Sequence, residues 1–149
     1  MTTSTVTTST PTSASAGADA PLDRRIVLSG LWVSMLFVFA YVDIFGFFRA
    51  DVINGALTGT LPGAGFDINQ TFLALTTLYI LVPSLMVAGS LLLPHRLNRL
   101  TNLVLAGIYA LTIIGSMVGE TWVYYLLGSV VELVLLAAIG RVALRWRIR

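Results

Sequence analysis

The chain has 149 residues, 56% apolar and 11% charged, with a mean hydropathy of +0.88; a soluble domain carries about 25% charged residues, so too little polar surface is present to face water all round. The net charge of +2 and pI near 9.4 come from nine arginines without a lysine, and these flank apolar runs instead of forming a stripe, which excludes nucleic acid as a partner. No cysteine is present and His95 is the one histidine, so thiol redox chemistry, iron–sulfur ligation and bis-histidine haem are excluded; no ligand cluster for a catalytic metal is visible and no cofactor is expected.

Residues 1–23 are rich in Thr, Ser and Ala and are expected to form a disordered cytoplasmic tail, because they have too little apolar surface to offset ordering. A cleaved signal peptide fits poorly: the polar stretch before Ile26 is too long, and no small-x-small site follows the apolar run. The first span covers 26–48, about 34 Å at ~1.5 Å per residue, against a hydrocarbon core of roughly 30 Å. A Gly-rich loop over 49–70 follows, with turn chemistry at 61–65 and a short interfacial helix predicted over 50–57. The second span covers 71–93 and contains Pro83, and a basic turn over 94–99 leads to a third span over 100–118. Gly119-Glu120-Thr121 forms the next turn and the fourth span covers 122–140, followed by a tail of alternating Arg and apolar residues that extends the helix into the headgroups. Turns this short make the second and third, and the third and fourth, spans antiparallel neighbours. The fold class is an all-α membrane protein, an antiparallel four-helix transmembrane bundle over 24–149.

Orientation follows from the arginines. An even number of spans puts Arg24, Arg25, Arg96, Arg99, Arg141, Arg145, Arg147 and Arg149 on one side and leaves Arg49 on the other. The positive-inside rule then places both termini in the cytoplasm, in a multi-pass protein of the plasma (inner) membrane. Trp32, Trp122 and Trp146 lie where interfacial anchors are expected. The expected partners are the bilayer itself and anionic headgroups, met by Arg96, Arg99, Arg141, Arg145 and Arg147 and by His95.

Glu132 is the most informative residue. It lies roughly 14–16 Å from either end of its span, where a carboxylate costs about 2.5–3.5 kcal/mol to insert. Tyr125 and Gly128 share its helical face, and Gly128 admits a neighbouring helix. Tyr109 and Thr112 in the third span are candidate partners, as is the carbonyl of Tyr79, which Pro83 deprives of its helical donor. Glu132 is therefore either a proton-coupling or substrate-binding group, with Tyr125, Tyr109 and Tyr79 around it, or a neutral strut that fixes helix register.

Asp43 is shallower, roughly 8 Å below the outer boundary, and is grouped with Arg49, Asp51 and Glu120 in an outer polar cluster whose plainest role is to close that end by ion pairing. Gly115-x-x-x-Gly119, and Gly30 with Ser34, are small-residue pairs that suit packing inside the bundle, with a homo-oligomer as the alternative. Asn102 is placed to bond across helices.

Several stretches resemble a family of small bacterial four-span membrane proteins of unknown function: Tyr-Val-Asp-Ile-Phe-Gly at 41–46, Asp-Ile-Asn-Gln-x-Phe-Leu at 67–73, Pro83, Leu-Asn-Arg-Leu-Thr-Asn at 97–102 and Tyr-Tyr-Leu-Leu-Gly-Ser-Val-Val-Glu at 124–132. That family is distantly similar in architecture to DoxX-like four-helix proteins. The resemblance implies the fold and supplies no activity. It also implies an acidic residue just before the proline, where this chain has Ile80, Leu81 and Val82.

Two functions are compatible with these residues. One is a non-catalytic bundle acting as an accessory or partner subunit. The other is a small proton-coupled transporter that uses Glu132. An enzyme ranks below both, since no nucleophile–base pair is in view.

Overall fold

A computed structural model describes residues 22–61 and 66–145. The expected disorder over 1–23 falls almost wholly outside them, as do most of the 61–65 turn and the anchoring roles of Trp146, Arg147 and Arg149. Five helices form: α1 (Arg24–Gly46), α2 (Ala50–Thr58), α3 (Gln70–Leu92), α4 (His95–Ser116) and α5 (Val123–Leu144). All but α2 are long and apolar enough to cross a membrane, and no strand occurs among the described residues. Their 22–23 residues rise about 33–35 Å, close to the thickness of a hydrocarbon core.

Local chemistry sets the helix ends. The Asp23 carboxylate accepts from the Arg25 N–H at 3.0 Å to start α1, and the Asn69 side chain accepts from the Phe72 N–H at 2.9 Å to start α3. Gly59, at φ 76°, stops α2 in the left-handed region that favours glycine. The returning chain is pinned there by a Thr60–Asp67 bridge and by the Ile68 N–H on the Gly59 carbonyl at 2.7 Å.

The turn expected over 94–99 is instead mostly helix. α4 begins at His95, directly after Pro94, so only Leu93 and Pro94 link it to α3. Arginines in a first helical turn oppose the helix dipole and read as loop; tertiary bonding overrides that preference. Pro94 leaves the Ser90 carbonyl without its helical donor, and Asn98 Nδ2 supplies one at 2.6 Å. At the other end of the chain, α5 continues past Gly140 to Leu144.

The four long helices run up, down, up, down. At one end Arg24 Nη1 donates to the Arg145 carbonyl at 2.6 Å and Arg25 Nη1 to the Leu91 carbonyl at 2.9 Å, so the start of α1 meets the ends of α5 and α3. At the other end Arg49 meets Glu120, joining the end of α1 to the start of α5. Helix α1 packs closely on α3 and α5, and α5 on α4; α3 and α4 come close at far fewer places.

The half of the bundle nearest Arg24 is solid. Leu28, Trp32, Met35 and Ile139 are fully buried there, with Met86 and Ala106 beside them. A polar chain crosses this core: Trp32 Nε1 donates to Asn102 Oδ1, and Asn102 Nδ2 to the Asn98 carbonyl and Oδ1, each at 2.7 Å. Trp32 is thus a buried bonding residue, not the interfacial anchor its position suggested, and Asn102 does bond across helices. Outward faces carry Phe37, Leu75, Leu111 and Leu127, all exposed, as a lipid-facing surface requires.

The close helix approach occurs at Gly128, where an added Cβ would run into Val42 of α1. Around Gly30, Gly115 and Gly119 an added Cβ meets nothing within 4 Å, so the small-residue pairs singled out at those positions make no tight contact within the bundle. Gly119, at φ 85°, is required by its turn.

Candidate functional site

The other half of the bundle is hollow. A cavity of about 420 Å³ lies there, walled by all four long helices and bordered by Leu61 from the loop after α2. Two features of the sequence open it. Polar side chains replace the large apolar ones of the solid half, and α3 and α4 come close at few places.

Tyr79 lines the cavity and Tyr109 packs beneath it, their ring centroids 4.7 Å apart. Tyr109 stacks in turn edge-on against Trp32 of the solid core at 6.2 Å. Pro83 in α3 removes the N–H that would bond the Tyr79 carbonyl, and the Tyr109 hydroxyl donates to that carbonyl across the helices. The hydrogen-bond donor that sequence spacing sought in Glu132 is therefore Tyr109. Thr112 Oγ1 donates to the Tyr109 carbonyl at 2.9 Å, which leaves the Tyr79 hydroxyl as donor in its 2.7 Å bond to Thr112. Both tyrosines have spent their hydrogens.

Glu132 stands on the α5 wall, only 4% exposed, with Ser129 one turn away at 2%. It makes no hydrogen bond or ion pair with any described residue. Asp43 lies on the α1 wall of the same cavity, retains exposed surface, and likewise has no hydrogen-bonding partner among the described residues. Val42 abuts Gly128, so Asp43 stands about five residues, or ~7–8 Å of helical rise, nearer the Arg49 end than Glu132. Two carboxylates thus share one cavity at two depths. Among the described residues that line it there is no Arg or His.

Arg49, Asp51 and Glu120 come together as expected, but without Asp43. Arg49 Nε and Nη2 form a fork on Asp51 at 3.1 and 2.6 Å, and Nη1 reaches Glu120 Oε2 at 3.1 Å. The guanidinium lies 4.7 Å from the Trp122 ring centre, and Glu120 Oε1 accepts from the Thr121 and Trp122 N–H groups at 2.8 and 3.0 Å, fixing the turn that leads into α5. The Asp51 hydrogen bonds raise Arg49 above its ordinary range, against its partial desolvation and with help from Glu120. The fork from Arg49 lowers Asp51. For Glu120, desolvation pushes upward, but the Trp122 and Thr121 amides and Arg49 together outweigh it and leave the group below the usual carboxylate value.

A carboxylate with a depressed folded pKa contributes stability above its unfolded pKa and loses it as pH falls through the folded value. The thermal midpoint of the native protein should therefore drop on acidification below about pH 4. Arg49→Gln should flatten that part of the profile; an unchanged slope would mean that the cluster contributes nothing.

The sequence model of a family of unknown function, DUF6326, matches residues 19–149. The chain belongs to DUF6326. Neither the curated proteins nor the solved structures contain a match to it. In this DUF6326 chain, no group of three or more His, Asp or Glu able to hold a metal occurs among the described residues.

Of the residues the sequence singled out, the structure brings Glu132, Tyr125, Tyr79 and Asp43 to the cavity and sets Tyr109 beneath it. Sequence reasoning missed that Asp43 of the DUF6326 chain belongs there. The signal was present: Leu28, Trp32, Met35, Phe39 and Asp43 follow one another at three- and four-residue steps, so the face of α1 that is buried below continues upward to the carboxylate.

Proposed function

We propose that this protein is a small proton-coupled membrane transporter in which Glu132 exchanges its proton against a solute held in the cavity. One observation carries the reading. Glu132 is almost wholly buried, has no partner among the described residues, and borders a cavity large enough for a small molecule. At mid-membrane depth a bare, unpaired carboxylate is costly, and it is relieved by a proton or by a cation. A strut that fixed register would instead be bonded to a neighbouring helix, and the tyrosines best placed to do so are engaged with other groups.

We further place the arginine-rich end, with both termini, in the cytoplasm of the inner membrane, and the cavity in the outer half of the bilayer. The excess of arginine at the start of α1, the start of α4 and the end of α5 supports that orientation. Exposed Arg96 and Arg141 at that end are suited to anionic headgroups.

The accessory-subunit reading is favoured by the solid half, where the Trp32–Asn102–Asn98 chain closes the bundle axis. Reconstitution in liposomes separates the two. With small candidate solutes supplied opposite an imposed pH gradient, the native protein should carry protons, and Glu132→Gln should slow that flux by about tenfold or more. Native flux no faster than that of empty liposomes, or an equal flux from Glu132→Gln, would leave the accessory reading standing. Because the chain has no cysteine, single cysteines at Tyr125 and Ser129 also report access directly. A water-soluble thiol reagent should label both from the outer side alone.

A further inference from the structure

We infer that the occupant of the cavity is a small organic ammonium ion, its charged end held between Glu132 and Asp43. This rests on the transport reading and specifies its substrate class. The acidic pair alone would not define a site. The second observation is the Glu132 carboxylate itself, 4% exposed, bordering the cavity and without a partner among the described residues.

The walls specify the ligand by the bonds they have left to make. Thr76, Thr112 and Ser116 border the cavity, and each donates its hydroxyl hydrogen to a carbonyl of its own helix, at 3.0, 2.9 and 2.8 Å. Tyr79 donates to Thr112. These hydroxyls therefore face the cavity with acceptor lone pairs, alongside two carboxylates that only accept when ionised. Tyr125 and Ser129 keep hydroxyls without a partner among the described residues and can still donate. The lining as a whole, with two carboxylates and no Arg or His among its described residues, repels an anion. It matches a ligand that brings N–H donors and positive charge.

Size and shape exclude a bare metal ion as the better match. About 420 Å³ lies within the ~300–1,000 Å³ of small-molecule pockets, whereas a hard cation needs six or so converging oxygens. Two carboxylates at different depths do not converge in that way. Phe39, Tyr79 and Tyr125 supply the apolar and aromatic surface that the body of an organic cation needs, and their ring faces attract positive charge. The sequence of events balances in charge: the ammonium enters, the Glu132 proton leaves, and the carboxylate then pairs with the cation. Asp43 on α1, Tyr79 on α3, Tyr109 on α4 and Tyr125 on α5 are the other titratable groups around this exchange, and Asp43 is the one that is acidic.

Benzylammonium, titrated calorimetrically into the full chain in detergent micelles, tests the inference. Saturable binding at one ion per chain is expected, with protons released to the buffer. Benzyl alcohol and benzoate, with nearly the same body and without the positive charge, should give only heats of dilution. Glu132→Gln should weaken binding about tenfold or more, and Asp43→Asn about threefold. Asp43 is exposed, so its variant tests the site even where Glu132→Gln reduces the yield of folded protein. No saturable benzylammonium binding, benzoate binding as tight as that of the ammonium, or native affinity in both variants would overturn the inference. Glu132-dependent proton flux without ammonium binding would sink the substrate class and leave transport intact. Ammonium binding without flux would do the reverse.

Discussion

Trp32→Ala should destabilise the bundle by about 3–5 kcal/mol, the range expected for truncating a fully buried tryptophan. Two losses combine. The indole fills the centre of the solid half and packs edge-on against Tyr109, so its removal leaves a void that neighbours on three other helices can only partly close. It also takes away the hydrogen bond to Asn102 Oδ1, leaving a buried acceptor without its donor. Trp32→Phe weighs the two against each other, because it keeps most of the buried ring and loses the N–H with the rest of the indole; about 1–2 kcal/mol is expected from that change. Unfolding in mixed micelles at increasing denaturing detergent, followed by circular dichroism, measures both. A Trp32→Ala cost under ~1 kcal/mol would show that the solid half does not hold the bundle together.

Gly128→Leu should cost about 2–3 kcal/mol, through overlap instead of a void. The new side chain must displace Val42, whose β-branched side chain has few rotamers open to it on a helix. Either α1 and α5 separate or Val42 is forced off its rotamer. Gly128→Leu combined with Val42→Ala should recover more than half of the loss, a coupling that two independent sites would not show. Gly115→Ala is the matching control: an added Cβ there meets open space, so it should be neutral or slightly stabilising by helix propensity. If Gly115→Ala costs as much as Gly128→Leu, α5 is not set by its contact with α1.

The four spans were legible because each is an apolar run bounded by charge or by Gly and Pro, and lipid imposes that pattern strongly. The start of α4 was not, since arginines early in a helix argue locally for a loop and the bond that overrides them joins Asn98 to a carbonyl on another helix. Glu132 was legible from depth alone. Its surroundings were less so. Depth along one helix does not say which residues of other helices share its level and its face, so Asp43 was assigned by nearness in sequence to Arg49 when its neighbour in space is the cavity. In the same way, Pro83 marks the Tyr79 carbonyl as needing a donor, but only packing decides that Tyr109 supplies it. The solid half was the least legible part, because a helix that is apolar on every side gives no periodic sign of the face turned inward.

Pro83 within α3 and Pro94 just past its end have a mechanical consequence. Each strips a donor from one α3 carbonyl, at Tyr79 and at Ser90, and each carbonyl is met by a side chain of α4. Eleven residues, about three helical turns, separate the two attachments. Elsewhere along this seam the helices share little packing, in contrast to the close contacts of α1 with α3 and α5. Parting α3 from α4 thus means releasing a few discrete bonds, whereas parting any other adjacent pair means unzipping a packed surface. The cavity is set against the one wall that yields stepwise, and the Tyr79–Tyr109 pair beneath it is also one of the latches.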